Sequence, residues 1–487
     1  MVRGLTLKWK QVIGYHLTKH SIGVNKLKDI IFNAIRQLRQ IGLIVDVLVM
    51  DQESSQWKLV KDLGVNPQNT FFRCDNVEEE TKCHIIPDPP HLIKNLRNNF
   101  LDKDISFSLD GVSKTAKFKY VRKLYEIDSL KPIRAVPRLK EEHFTLPRGK
   151  KMKVILACQI FSHSVAAAIR FYIKHSQLPD DAAETADFID TINSMWDFVD
   201  SHSLSAPIGK KAVSSKNIVE DIKLFDFYFD FVSTFEFTSL LTNKSVKLPS
   251  HVGWLLAIKS FKALCVSLIQ DQKIFSHLCL RKCNQDHVEN LHSQIRSNNG
   301  FNDHPTPEGY INALRCLASN SSICELLDKT ISSGANCQPD KEHSTVHSNV
   351  FEMTNISTCA SESALDTSDS LVLLEDGDTL QLESLDTKIE QEIVDYIAGS
   401  VVRNITKQKT KHDICEDCIH LCISSNYSSN SCYSLTSLKE YKKGALISVS
   451  SAVSAICVKF EEYFQKCTCN GLPHPNPRTY IVSNFNK

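Results

Sequence analysis

The chain has 487 residues, of which 42% are hydrophobic and 23% charged, and its formal net charge at pH 7 is +1. This length exceeds what one hydrophobic core usually holds and predicts several domains. The near-neutral charge excludes nucleic-acid binding by overall charge, so any such surface must be local. A signal peptide and a stretch of roughly 18 apolar residues are both missing, which predicts a nuclear or cytosolic protein without a membrane partner. The 17 cysteines are expected to be reduced thiols, with one possible metal cluster.

The first fifty residues alternate strand and helix patterns. Residues 5–17 alternate apolar and polar side chains and predict a half-buried strand. Residues 25–41 carry apolar side chains at helical spacing and end at Gly42, which predicts an amphipathic helix. Residues 43–50 are apolar on nearly both faces and predict a strand covered by helices, terminated by Asp51. Ligands gather at the carboxyl edge of an open α/β sheet, although a single Asp there is equally typical of a turn.

A second strand and helix are predicted next. Residues 83–87 predict a short strand, and residues 88–100 predict a helix with two prolines in its first positions. Asp88 is well placed to be the N-cap of this helix.

The segment 112–153 is locally basic, with roughly three times as many Lys and Arg as Asp and Glu. Phe118, Tyr120 and Tyr125 lie between its basic residues. Such a composition suits a nucleic-acid backbone, and a solvated surface face is an equally good interpretation.

The rest of the chain is predicted to be helical, apart from one linker. Residues 154–280 repeat apolar positions at i, i+3 and i+4 and are predicted to be all-helical. Further helices are predicted at 285–297 and 307–319. Residues 330–385 are rich in Ser, Thr, Asp and Glu, which predicts a disordered linker. A small final domain follows it.

Seven segments stand in order along the chain: WKQVIGY, VLVMDQESSQ, DPPHLIKNLRN, KMKVILACQIFSHSVA, QDHVENLHSQIR, NDHPTP and IVDYIAGSVVR. This series resembles the P-element family of DNA transposases, including the THAP-domain-containing transposase-like proteins, over most of residues 4–467. The resemblance implies an RNase H-like catalytic domain interrupted by a helical GTP-binding insertion. It also implies that DNA ends are cut and joined with two metal ions, and that a THAP zinc finger normally precedes the catalytic domain.

The implied fold class is α/β plus α. We expect an RNase H-like mixed sheet, incomplete because its first two strands are missing, interrupted by an all-helical insertion and followed by a small C-terminal domain. The predicted domains are a partial catalytic core at 1–111, the basic segment and helical insertion at 112–280, catalytic-core helices at 281–329, an acidic disordered linker at 330–387 and a Cys-containing domain at 388–470.

The resemblance assigns catalytic roles. Asp51 matches the family's second catalytic carboxylate, and Glu289 matches the third, on a helix that returns after the insertion. These two residues are the predicted Mg²⁺ ligands, since two-metal phosphoryl transfer needs oxygen ligands that converge from different elements. Asp88 and His91 resemble the motif beside the active site, with helix capping as the alternative for Asp88. Taken without the resemblance, Glu289 is a solvated helix charge.

The resemblance also places a guanine-nucleotide site near residues 185–203. Asn193, Asp197 and Asp200 are the candidate GTP-binding residues. Family members often have Asn-Ser-Arg where this chain has Asp200 followed by Ser and His, and the chain has no G-x-x-x-x-G-K-[ST] phosphate loop. Lys94, Arg97 and Arg296 are candidates for contacts with DNA phosphates, and surface charges are the alternative.

The main departure from the family is at the amino terminus, because the chain begins at what resembles the third strand. The first catalytic Asp and the THAP finger have no counterpart, and neither Asp29 nor Asp46 is a credible replacement. We therefore expect a truncated, immobile or domesticated copy, or an incomplete gene model, and leave enzyme activity open. The first hypothesis is a nuclear, transposase-derived protein whose partners are DNA, guanine nucleotide and a second copy of itself. The alternative is a non-catalytic DNA- or protein-binding factor.

A cysteine cluster near the carboxyl terminus suggests separate chemistry. Cys415 and Cys418 form a C-x-x-C motif, with His412, His420, Cys422 and Cys432 nearby. These residue types complete tetrahedral Zn²⁺ sites in small domains. Ordinary buried or free cysteines are the alternative.

Overall fold

The computed structural model describes residues 1–7, 9–18, 22–74, 82–145, 148–207, 209–318, 387–407, 416–424, 434–440 and 445–468. The chain forms two compact units, one made of Met1–Val288 with Ser384–Lys487 and the other of Glu289–Glu383. The predicted linker lies outside the described residues except for its final residue. The bounds of the five predicted domains stay predictions.

The amino-terminal segment differs from the predicted strand. Among the described residues of this segment, only β1 (Val2–Arg3) and β2 (Lys10–Gln11) form strands, and they pair with each other in antiparallel fashion. The apolar side chains of Leu7 and Ile13 are exposed. The prediction of a half-buried strand over 5–17 is therefore wrong, because alternation makes a strand only where a neighbouring ladder and a core face receive it.

A three-stranded sheet comes next, in the order β3-β5-β4. Its strands are β3 (Val47–Met50), β4 (Phe71–Arg73) and β5 (Lys82–Pro87), and the helices α1 (Val24–Gln40) and α2 (Ser54–Asp62) accompany them. Strands β3 and β5 are parallel, and β4 is antiparallel to β5. Phe32 of α1 and Val60 of α2 share a buried cluster with Met50 and Ile85 of the sheet. The predicted helix at 25–41 and the strand at 83–87 are confirmed, and the strand predicted at 43–50 is shorter.

The helix α3 (Pro89–Phe100) follows β5 directly, as predicted. A second, antiparallel sheet then forms in the order β10-β9-β6-β7. Its strands are β6 (Lys103–Leu109), β7 (Val112–Ala116), β9 (Glu236–Ser239) and β10 (Ser245–Val246). Two further strands, β8 (Val213–Ser214) and β11 (His277–Leu278), pair with each other. The prediction that residues 154–280 are all-helical is wrong at these strands, because β6 supplies a partner that β9 has only in the folded chain.

Helices surround this second sheet. They are α4 (Phe118–Ser129), α5 (Arg148–Lys151), α6 (Val154–Ile160), α7 (His163–Lys174), α8 (Ala182–Val199), α9 (Ile218–Ser233) and α10 (Pro249–Cys265). Phe188 of α8 contacts Phe100 and Phe107, with ring centroids 5.6 and 5.3 Å apart. Val154–Lys174 and Pro249–Asp271 are apolar and long enough to cross a membrane, yet more than half of each lies buried in the protein. Packing in the core accounts for their apolar composition.

Gly253 of α10 faces Leu92 of α3 and Gln52, which lies just before α2. A Cβ atom at this position would lie 2.5 Å from Gln52 Nε2 and 2.7 Å from Leu92 Cδ2. Further along α10, Ser260 Oγ donates a hydrogen bond of 2.7 Å to the carbonyl of Ile85 in β5. A side chain at position 253 would therefore force Leu92 or Gln52 to move.

The carboxyl-terminal helices pack beside α7. They comprise Thr387–Lys407, Glu416–Cys422, Leu435–Lys439 and Ser451–Thr468. Leu435 is fully buried, and Lys174 Nζ lies 3.0 Å from Glu392 Oε1. Lys439 Nζ donates to the carbonyl of Ala135, and burial lowers its pKa to about 8. These contacts attach the carboxyl-terminal helices to the same unit as the sheets.

Candidate active site

Two aspartates meet at the carboxyl ends of β3 and β5. Asp51 follows Met50 and Asp88 follows Pro87, and Met50 pairs with Pro87 in the parallel ladder. The backbone N–H of Asp88 donates a 2.9 Å hydrogen bond to the carbonyl of Met50. The fold therefore brings Asp51 and Asp88 to the edge of the sheet formed by the carboxyl ends of β3 and β5, here called the carboxyl edge. Ligands gather at this edge in open α/β proteins.

The carboxylate of Asp88 is engaged by protein donors on both oxygens. Its Oδ2 accepts from the backbone N–H of His91 at 3.1 Å and lies 2.7 Å from His91 Nδ1. Its Oδ1 accepts from the backbone N–H of Gln285 at 2.8 Å. Asp88 is only 1% exposed. The predicted N-cap is confirmed, while a catalytic role for Asp88 or His91 stays a prediction.

Asp51 is more accessible than Asp88. It is partly exposed, and its Oδ1 accepts a 2.9 Å hydrogen bond from the backbone N–H of Glu53, in a turn that starts α2. Its second oxygen has no hydrogen-bond partner within the described part of the chain. Asp51 can therefore present one uncommitted carboxylate oxygen at the edge.

The segment that precedes α11 (Asp286–Asn298) returns to this same edge. Besides its bond to Asp88, Gln285 places its Nε2 3.5 Å from the carbonyl of Val49 in β3. Cys283 is buried. The predicted helix at 285–297 is confirmed, and Glu289 lies on it where the second compact unit begins. Gln285 opens the QDHVENLHSQIR segment, but its contact with Asp88 could not be predicted from the sequence because it bridges 197 positions.

The carboxylates of this edge do not by themselves make a metal centre. In the unit Met1–Val288, Asp51 offers one uncommitted oxygen and Asp88 offers none, whereas Mg²⁺ needs several oxygen ligands. No group of three or more His, Cys, Asp or Glu residues among those described could hold a metal ion. The Mg²⁺ roles of Asp51 and Glu289 therefore stay predictions.

The zinc prediction falls largely outside the described residues. Cys415 and His412 lie in an undescribed segment, and the side chain of Cys418 is likewise undescribed. The assignment of Cys415 and Cys418 as zinc ligands stays a prediction.

The predicted phosphate contacts of α3 are wrong in this structure. Lys94 is 5% exposed and Arg97 is completely buried. Arg97 Nη2 donates a 3.0 Å hydrogen bond to the carbonyl of Lys151, beneath the basic segment. The helix is covered by the elements around it, so these cations cannot reach a DNA backbone. The sequence predicted exposed side chains here because lysine and arginine usually keep their charged ends at the surface, even when their aliphatic stems are buried.

The three candidate nucleotide-binding residues lie together at the end of α8. Asn193 Nδ2 donates to Asp197 Oδ2 at 3.4 Å, and Asp200 caps the helix. Lys210 Nζ lies 3.1 Å from Asp197 Oδ1, and Arg281 Nε lies 3.4 Å from Asp200 Oδ1. Burial raises the pKa of Asp200. Lys210 lies in the loop after α8, and Arg281 lies in a short 3-10 helix, Leu280–Lys282, about 80 residues later. Helical periodicity within α8 gives no indication of either contact.

These residues form the α8 cluster, defined as Asn193, Asp197, Asp200, Lys210 and Arg281. It combines carboxylates and cations near the carboxyl end of α8, where Asn193 and Asp197 are buried. Carboxylates can accept hydrogen bonds from guanine N–H groups, and cations can bind phosphate.

The aromatic residues of the basic segment are core residues. Phe118 and Tyr120 are buried, and Tyr125 contacts Phe144 with ring centroids 4.9 Å apart. The interleaved aromatics are thus unavailable to stack on bases. Lys151 and Lys153 are exposed, whereas Lys150 pairs with Glu142 at 2.6 Å. The surface of this segment is accordingly cationic without aromatic platforms.

Comparison with known proteins supplies the context for this site. Three family descriptions match: the RNase H N-terminal domain of TNP-like proteins at residues 1–64, the GTP-binding insertion domain of TNP-like proteins at 90–213, and the C-terminal domain of DNA transposase THAP9 at 384–485. The α8 cluster overlaps the end of the second match.

One relative is the Transposable element P transposase of Drosophila melanogaster, 24% identical over 99% of this chain and 58% of that protein. A solved structure, the Drosophila P element transposase strand transfer complex, matches with a TM-score of 0.51 and 25% identity. That match covers 59% of this chain and 63% of the solved chain. The chain thus spans less than two thirds of the length of either relative.

The mixed α/β fold, with its matches to the RNase H N-terminal and GTP-binding insertion domains of TNP-like proteins, makes this chain a transposase-derived protein. Within that class the chain is a P-element-type transposase-like protein.

Proposed function

We propose that this chain is a DNA-binding protein of the nucleus, derived from a cut-and-paste transposase. The observation that carries the proposal is its likeness, along 99% of its length, to a protein named as a P transposase. The structural relative is named as a strand transfer complex, and we infer from it that DNA is the partner.

The cationic surface formed by Lys151 and Lys153 is the DNA contact that we infer. Lys151 and Lys153 are exposed and can reach phosphates, whereas Lys150 is held by Glu142. Since the neighbouring aromatics are buried, contact is expected through the backbone of the DNA, independent of sequence.

The carboxyl edge is the inferred remnant of the catalytic centre. We infer that β3, β5 and β4 correspond to part of the RNase H-like sheet, with Asp51 in the position of a catalytic carboxylate. Since Asp88 is committed to protein donors, the edge favours a binding function for this chain. The ancestral activity remains the competing outcome of the test below.

DNA affinity of the full chain should fall steeply with salt. We expect the double substitution Lys151→Gln with Lys153→Gln to weaken binding about tenfold at low salt and to flatten the log–log salt slope by about 2, since two phosphate contacts are lost. Fluorescence anisotropy with a labelled duplex measures both quantities.

The matched control is Lys58→Gln with Lys61→Gln, an exposed pair on α2. A salt-independent affinity, or equal losses in both double variants, would refute this surface as the DNA contact.

Mg²⁺-dependent strand transfer by the same protein, abolished in Asp51→Asn and Glu289→Gln, would instead establish an active transposase. Size-exclusion chromatography of the DNA complex tests for a second copy of the chain.

The α8 cluster favours a second function, the binding of guanine nucleotide. We expect a fluorescent GTP analogue to bind more tightly than its ATP counterpart. A carboxylate can accept from both the N1–H and the 2-amino group of guanine, and adenine has neither of these donors. Asp197→Asn should weaken GTP binding about tenfold, the effect of one strong polar contact. The control is Asp226→Asn, which neutralises an aspartate of α9 that pairs with Lys262 of α10. Unchanged affinity in Asp197→Asn would exclude the cluster as the guanine site.

A further inference from the structure

The second compact unit contains a cavity of about 340 Å³, here called the α11 pocket. Its wall includes His292, Arg296, Asp303, His304, Pro305 and Tyr310. The first two residues belong to α11, and three of the others come from or adjoin the NDHPTP segment. Neither the carboxyl edge nor the α8 cluster includes any of these residues.

The pocket is preformed by contacts between α11 and the chain after it. Asn299 Nδ2 donates to the carbonyls of Ile295 and Gly309, at 2.8 and 3.3 Å. The backbone N–H of Phe301 donates to the carbonyl of Arg296 at 2.8 Å. These bonds hold the two walls together, so that a ligand would meet ordered side chains.

Two rings provide a surface for a planar ligand. The centroids of His292 and Tyr310 are 6.0 Å apart and their planes are inclined by 45°. Burial, and then Arg296, lowers the pKa of His292, so the imidazole is neutral at pH 7. Ile295, which is buried, and Pro305 add apolar surface. Aromatic and apolar walls of this kind stack on nucleobases.

The remaining wall carries complementary polar groups. The guanidinium of Arg296 can bind a phosphate through paired N–H donors. The carboxylate of Asp303 can accept from an exocyclic amino group, and the His304 ring can donate or accept. A cavity of this volume stands at the lower end of the range for small-molecule sites, roughly 300–1,000 Å³, which suits one nucleotide.

We propose that the α11 pocket binds a single unpaired nucleotide, with its base against His292 and Tyr310 and its phosphate on Arg296. The nucleotide comes from an unpaired DNA strand or from the free mononucleotide pool, which share this chemistry. The DNA source rests on the DNA-binding function proposed above.

The test compares two DNA ligands on the full chain. A blunt duplex and the same duplex with a single-stranded 3′ extension are titrated by anisotropy, with dAMP as a competitor. The protein should prefer the extended duplex about tenfold, the effect of stacking one base on an aromatic side chain. His292→Ala and Tyr310→Leu should lose the preference and keep the affinity for the blunt duplex.

Two further variants separate pocket chemistry from misfolding. Tyr310→Phe retains the ring and should retain the preference, and so should Ser297→Ala, an exposed change on α11 outside the pocket. Equal binding of both duplexes, with no competition by dAMP, would overturn the pocket proposal and leave the DNA-binding function intact.

If the protein binds neither duplex, the proposed function fails, and direct titration with dAMP decides the pocket. Binding of dAMP that is lost in Tyr310→Leu would support the free nucleotide as ligand. No binding of dAMP, or binding that Tyr310→Leu leaves unchanged, would overturn the pocket proposal.

Discussion

Replacing Asp128 by alanine should lower the free energy of unfolding by about 3–5 kcal/mol, the cost of removing one partner from a buried charged network. Asp128 is 0% exposed at the end of α4. It accepts from Ala135 N at 2.7 Å, from Val136 N at 3.1 Å, from Tyr172 Oη at 2.9 Å and from Arg134 Nε at 3.2 Å. Alanine would leave the two backbone N–H groups and the Tyr172 hydroxyl buried without acceptors.

The same substitution should loosen the attachment of the carboxyl-terminal helices. The turn that Asp128 holds presents the carbonyl of Ala135 to Lys439, and Lys439 also lies over the ring of Tyr396 at 4.3 Å. When the turn loses its acceptor, this docking site should become mobile. Hydrogen exchange in Leu435–Lys439 should therefore accelerate in the variant.

Urea denaturation measures the stability change, with Asp29→Ala as the control. Asp29 is an exposed aspartate on α1, and its replacement should change the free energy of unfolding by less than about 0.5 kcal/mol. A loss at Asp128 as small as that at Asp29 would show that the buried network does not stabilise the fold.

Replacing Asp88 by alanine should lower the free energy of unfolding by about 2–4 kcal/mol, more than the loss of a helix cap alone. The substitution removes the acceptor for the first turn of α3 and the acceptor for Gln285. The donor of Gln285 would then have no acceptor at the carboxyl edge, and residues 283–288 should detach from the sheet. Urea denaturation measures the first effect, and faster hydrogen exchange at 283–288 reports the second.

Ser162→Ala provides a matched control, because Ser162 caps α7 through Val165 N and accepts no long-range hydrogen bond from the described residues. Its loss should cost about 1 kcal/mol. If Asp88→Ala costs no more than Ser162→Ala, and exchange at 283–288 is unchanged, then Asp88 acts only as a cap. The result would separate the local role predicted from sequence from the tertiary role seen in the structure.

Local features of the site were predictable where one short segment decides them. The sequence Asp-Pro-Pro after an apolar run predicts a capped helix, and Asp88 is its N-cap in the structure. The spacing of apolar residues in α1 and α11 likewise predicts their helices. The ordered series of motifs identified the family, which the comparisons confirm.

Features that depend on partners remote in the chain could not be predicted. The alternating residues 5–17 favoured a strand, yet among the described residues there only Lys10–Gln11 join a ladder, with Val2–Arg3 as their partner. Strand β9 forms because β6 presents an open edge, and β6 lies more than a hundred residues earlier. Phe118 and Tyr120 looked like a DNA-stacking pattern, and packing made them core.

By itself, the sequence determined the family, the helices with strong periodicity and the position of Asp51 after a buried strand, because these depend on residue order and local spacing. Tertiary structure alone decided that Asp88 is committed to His91 and Gln285, that Lys210 and Arg281 join α8, and that α11 and its following loop enclose a pocket. The physical reason is that burial and hydrogen bonding arise from segments that meet only when the chain closes long loops. Contacts between such remote segments cannot be predicted from the spacing of residues within any one segment.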